Sequence, residues 1–169
     1  KKPARILNPW AAKEKQWTDD SVYHHELLSW FGLVEFLRKQ GALRQTSVHL
    51  ANFSTTTVYG KSLEDSYTLA LSPQFGSTFI DVNKVFEKSP VKQLLFSITD
   101  GRVQNWPSIK EEFIAEAKRH YYFHIQVGRE TAMSQDLKTS GLPVLYDSGR
   151  NLGKMLIDLT RPFVTRRST

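Results

Sequence analysis

The sequence predicts an α/β chain, doubly wound around a mostly parallel central sheet with helices on both faces. Three observations carry that expectation. Strand-length apolar runs alternate with helical stretches along most of the chain. One run, Gln93 to Ile98, shows no alternation, as expected of a strand covered on both faces. The 169 residues, 40% hydrophobic and 12% aromatic, suffice for one domain with a sizeable core.

Taken in order, Lys1 to about Thr18 is an N-terminal segment, either an arm or a degenerate first strand, in which only Ile6-Leu7 could seed a strand. The domain proper is expected over residues 19–162, with a basic tail over 163–169. From Ser21 to Gln40 the residues Tyr23, Leu27, Trp30, Val34 and Leu37 recur at helical spacing. Leu28, Phe31 and Leu33 widen that stripe, and Gly41 supplies a stop. Ser47 to Phe53 reads as a strand, followed by a hydroxyl-rich turn and a short strand, Thr57-Val58-Tyr59. Ser62 with Asp65 resembles a capping box that opens a short helix to about Leu71. After a loop to Thr78, a helix carries Ile80, Val82, Val85 and Phe86. The strand at Gln93–Ile98 then ends abruptly at Thr99-Asp100-Gly101. Pro107-Ser108 with Glu111 caps an amphipathic helix, Tyr121 to Val127 is the next strand, and Leu142 to Tyr146 is a shorter edge strand suited to Pro143. A last helix runs from about Asn151 to Arg161-Pro162.

Composition narrows the function. Without cysteine there is no disulfide framework, thiolate metal site or cysteine nucleophile. No apolar run approaches the ~20 residues of a membrane span, and a cytoplasmic protein is expected. The net charge of +6 permits a nucleic-acid partner, but Lys1, Lys2, Arg5, Arg161, Arg166 and Arg167 place much of it at the two ends, where solvated tails are the plainer reading. Of the five histidines, His49 and His124 fall on strands, as satisfied structural groups. None has zinc-helix spacing or adjoins a nucleophile, and no phosphate-binding glycine motif is present.

In an open α/β sheet, ligands bind beyond the carboxyl ends of the strands. That directs attention to Gly76-Ser77-Thr78 and to Thr99-Asp100-Gly101. A carboxylate fixed at a strand tip, with glycine beside it and a loop hydroxyl nearby, suits a hard cation that keeps several waters. Asp-Gly is equally a common turn dipeptide, so Asp100 alone decides nothing.

Phe53-Ser54, Gly76-Ser77-Thr78 and Leu94 to Gly101, in this order and spacing, resemble the von Willebrand factor type A (vWA) family, and Val144 to Asp147 with the last helix is similar to its C-terminal end. The resemblance spans roughly residues 21–160. It implies a Rossmann-like fold and a protein-binding module, with Mg²⁺ or Mn²⁺ held at a metal-ion-dependent adhesion site on top of the sheet. Thr78 would then be the hydroxyl ligand and Asp100 the carboxylate, with Asn8, Ser77 and Gly101 as weaker contributors. It implies a partner protein that completes the coordination with an acidic residue, and, for a cytoplasmic member, work beside an AAA-type ATPase. Trp106 in the following loop is either a recognition residue or packing beneath the loop.

The sequence departs from the family at the first strand, which should end in Asp-x-Ser-x-Ser. The nearest match, Asn8-Pro9-Trp10-Ala11-Ala12, offers no side-chain hydroxyl. In the family that strand lies between the strands at Val48–Phe53 and Leu94–Ile98, so either Arg5–Asn8 or a segment outside the 169 residues must fill the slot. The alternative reading is a Mg²⁺-dependent hydrolase or phosphoryl-transfer enzyme using Asp100, with Asp147 as its only second carboxylate.

Overall fold

The computed structural model describes residues 22–72, 77–86 and 91–165. Expectations that fall on residues 1–21, including Asn8, and on Gly76 lie outside those residues.

The aromatic stripe forms helix α1, Val22–Lys39, and buries Leu27, Trp30, Leu33, Val34 and Leu37. Leu28, expected in the stripe, is exposed instead. Gly41 ends the helix in a left-handed conformation (φ 68°) that few other residues adopt cheaply, and a short 3-10 turn, Ala42–Gln45, follows. Strands β1 (Ala51–Phe53) and β2 (Thr57–Tyr59) form an antiparallel hairpin. Thus only the last three residues of the expected Ser47–Phe53 strand pair. Helix α2, Leu63–Ala70, starts where the capping signal places it, the Ser62 hydroxyl accepting from Asp65 N at 3.0 Å.

Helix α3 is Val82–Phe86, strand β3 is Leu94–Thr99, and helix α4 is Trp106–Lys118. Helix α4 begins ahead of the expected Ser108 cap, with Pro107 in its first turn, where a missing N–H costs nothing. Strand β4, Tyr121–Val127, has its expected bounds, and strand β5 is Val144–Asp147. Between them lies helix α5, Ala132–Thr139, which the apolar pattern did not announce. Helix α6, Leu152–Thr165, runs through Pro162 instead of ending there, and Phe163 packs edge-on against Tyr121 with ring centroids 5.0 Å apart.

Strands β3, β4 and β5 form a parallel sheet with β4 in the middle, Ser97 opposite His124 and Ile125 opposite Leu145. Leu33 and Leu37 of α1 with Leu152 and Leu156 of α6 pack on Ile125 and Val127 on one face. Phe86 of α3, Trp106 and Phe113 of α4, and Met133 and Leu137 of α5 gather with Tyr122 on the other. Each such buried side chain contributes roughly 1.5–3 kcal/mol of transfer free energy. The fold is therefore mixed α/β around a small parallel sheet. The single larger sheet expected from the sequence is not formed among the described residues. The β1–β2 hairpin stands apart from β3, because neither strand edge reaches the other.

Candidate functional site

Three turns converge at the carboxyl end of β3. In the hairpin turn, Ser54 N donates to Thr56 O, and Ser54 O in turn accepts from Phe79 N at 2.7 Å. Thr57 extends the tie: its hydroxyl donates to Phe79 O at 3.3 Å and accepts from Asp81 N at 2.9 Å. Residues 77–81 are also bound to the turn after β3. Thr78 O accepts from Gln104 N at 2.8 Å, while the Asn105 side chain accepts from Ile80 N at 3.0 Å and donates to Ile80 O at 2.8 Å. Asn105 thus serves as a two-point clamp between loops 25 residues apart. Thr78 and Asp100 both line a cleft of about 1650 Å³ that runs between β1 and β3.

Asp100 is exposed. Its Oδ1 accepts from Arg102 N at 3.0 Å, closing its own turn, and Oδ2 stands 3.8 Å from Arg102 Nε. That exposed ion pair contributes little, so the carboxylate holds the turn and still presents oxygen to solvent. Gly101 follows at φ 73°, where a Cβ would strike Thr131 and approach Gln126 Oε1 to 2.6 Å. Glycine is required there on both counts. Thr78 and Ser77 are half-buried, and Gly101 is buried.

One residue of this rim was not foreseen. Glu26 lines the same cleft, and burial, reinforced by the Asp100 carboxylate, raises its pKa to about 7. Its place along α1, four residues before Trp30 and seven before Leu33, puts a carboxylate on the apolar stripe, the one sequence signal that could have found it.

Trp106 is core, 3% exposed, edge-on to Phe113, with its indole N–H donating to Asp136 Oδ2 at 2.9 Å. Of its two readings, packing describes where it sits. Asp147 is separated from β3 by the whole width of β4, and its carboxylate accepts from Gly149 N at 2.5 Å and Asn151 N at 3.2 Å at the start of α6. It does not join Asp100.

Beneath the rim lies a buried polar chain. Tyr122 OH and Ser97 Oγ are 2.5 Å apart, Ser97 Oγ and His124 Nδ1 2.7 Å, and His124 Nε2 and Gln126 Oε1 3.3 Å. The Thr131 hydroxyl donates to the same Gln126 oxygen at 3.2 Å. Donation running from Tyr122 through Ser97 to a neutral His124, whose Nε2–H then donates to Gln126, satisfies every member. Desolvation lowers the His124 pKa to about 4 and raises that of Tyr122. His49 is satisfied too, its Nδ1 lying 3.0 Å from Gly60 O.

Asp100, Glu26 and Thr78 offer oxygen donors of the kind a hard divalent ion takes. Among the described residues no group of three His, Cys, Asp or Glu gathers that could hold a metal ion. The described residues therefore form no closed protein cage for a metal ion. No protein-family model matches the chain, and neither a curated protein nor a solved structure matches it. Among the described residues no helix is long and apolar enough to cross a membrane.

Proposed function

We propose that the chain is a protein-binding module of vWA type that docks a partner through the rim at the carboxyl end of β3. One observation supports this above the rest: Thr78 and Asp100, taken from loops far apart in sequence, line one cleft, and Glu26, which lines it too, feels the Asp100 charge. In this reading Asp100 and Thr78 hold Mg²⁺ or Mn²⁺ with water filling the remaining positions, and an acidic side chain of the partner protein completes the shell. The bound ion supplies positive charge where two carboxylates otherwise repel. Asn105 keeps the two loops in register, Gly101 seats the Asp100 turn against Gln126 and Thr131, and Glu26 gives up its proton as the ion binds. A doubly wound, Rossmann-like framework and an AAA-type ATPase as partner belong to the same proposal and rest on the resemblance alone.

Calorimetric titration of Mg²⁺ and Mn²⁺ into the full chain tests it. Binding should be lost in Asp100→Ala, weakened in Thr78→Val, and strengthened as the pH rises toward 7, because the ion competes with the Glu26 proton. Binding that ignores both substitutions would remove the cation from the proposal.

A further inference from the structure

Every strand of the parallel sheet runs into the same dipeptide. Strand β3 is followed by Gly101-Arg102, β4 by Gly128-Arg129 and β5 by Gly149-Arg150. All three glycines are left-handed, at φ 73°, 83° and 99°. The other left-handed glycines among the described residues, Gly41 and Gly141, come after helices, and Ala42 and Leu142 succeed them. Arginine therefore goes with the strand ends and not with positive φ as such. Pairing sets the three turns side by side. Ser97 faces His124, 27 residues further on, and Arg129 lies at that same offset from Arg102. Val127 faces Asp147, which brings Arg129 level with Gly149 and its neighbour Arg150. The turns also touch: a Cβ on Gly101 would strike Thr131 beyond β4, and Gly128 N donates to Asp147 O at 3.1 Å. With neighbouring strands ~4.8 Å apart, the three turns occupy roughly 10 Å of the rim. All three arginines are exposed, Arg102 by 86%.

We propose that Arg102, Arg129 and Arg150 form a row that binds an acidic segment of a partner protein. This names the chemistry of the partner docked at the rim, and rests on the docking part of that reading and not on its cation. Guanidinium groups suit the task, because each can grip a carboxylate through two parallel N–H donors. Carboxylates lie among the arginines, and each is engaged within the rim. Asp100 accepts from Arg102 N, Asp147 from Gly149 N and Asn151 N, and Glu130 from the Tyr146 hydroxyl at 2.9 Å and the Gln135 amide at 3.3 Å. Those bonds offset part of their charge and leave the arginines as the rim's ligand-binding groups. The same mixture of signs selects the class of partner. A protein segment can set its own cations against Asp100 and Glu130, whereas a nucleic-acid backbone is uniformly negative. Specific nucleic-acid binders also commonly make ~6–10 phosphate contacts, more than three arginines supply.

Fluorescence anisotropy of a labelled glutamate decapeptide, titrated with the full chain in EDTA, tests the row apart from any cation. The peptide should bind, and R102Q/R129Q/R150Q should weaken it about tenfold or more. A second triple variant, K92Q/K118Q/R119Q, removes the same charge at the opposite end of the sheet and should weaken binding less than about twofold. All six side chains are exposed, so both variants should keep the wild-type urea midpoint. No binding of the peptide, or equal weakening by the two variants, overturns the proposal. So does tighter binding of a single-stranded oligonucleotide of equal charge, which would mark a nucleic acid as the partner. Peptide binding that persists in EDTA and is lost with the arginines stands even where Mg²⁺ titration shows no binding, and the reverse result removes the row alone.

Discussion

Gly101 sets how tightly the Asp100 turn is built. Its positive φ and the absence of room for a Cβ against Gln126 and Thr131 act together, so Gly101→Ala should destabilise the chain by about 2 kcal/mol in urea unfolding. A loss below about 0.5 kcal/mol would mean that the turn is not held by the end of β4. Two titrating residues should pull in opposite directions. Unfolded His124 titrates near 6.5 and the folded residue at about 4, so its contribution is full above pH 6.5 and is lost as the pH falls, by on the order of 3 kcal/mol. Glu26 moves from 4.5 to about 7, so its contribution is full at low pH and is lost as the pH rises through 7. Between pH 4.5 and 6.5 the two offset each other. Stability of the wild type should change little over that window, rise with pH in Glu26→Gln, and fall with pH in His124→Asn; parallel profiles for all three proteins would contradict both assignments. The strand tip at Asp100 was legible in the sequence because the apolar run of β3 ends abruptly there before Gly101. Glu26 and Asn105 were not, since each acts across a contact distant in the chain.

At the scale of elements, legibility followed the strength of the periodic signal. Tyr121–Val127 could be read residue by residue because its apolar run is bounded by His120 behind and Gly128 ahead. Helix α5 could not, since it buries only Met133, Ser134 and Leu137 and is started by a reciprocal Thr131–Ser134 capping box without the usual acidic third residue. The end of α6 misled for the opposite reason: Pro162 is a strong stop signal, yet only its missing N–H and its ring against the preceding turn oppose the helix, and packing of Phe163 on Tyr121 and of Val164 on the core outweighs them. Pro162→Ala should therefore stabilise the chain by about 1 kcal/mol, less than the ~3 kcal/mol of a mid-helix proline because the helix ends one turn later. An unchanged urea midpoint would show that Pro162 costs this helix nothing.

Over the whole molecule, the parallel sheet and its two helical faces bring the strand ends to one rim, while among the described residues the hairpin is tied in through its loops and its contacts with α2 and α3. The mixed α/β character was plain from the alternation of elements. The gap between β1 and β3 was visible only as a missing apolar run, since strand order is set by long-range pairing that no local pattern encodes. The proposed binding rim lies at the carboxyl end of β3, beside that gap. Titration of Mn²⁺ into isotope-labelled full-length chain probes it most directly, through paramagnetic broadening of amide signals. Broadening should begin at Thr78, Asp100, Gly101 and Glu26 below one equivalent of Mn²⁺ and reverse on adding Mg²⁺; broadening that starts elsewhere, or spreads evenly over the acidic surface, would contradict the cation site.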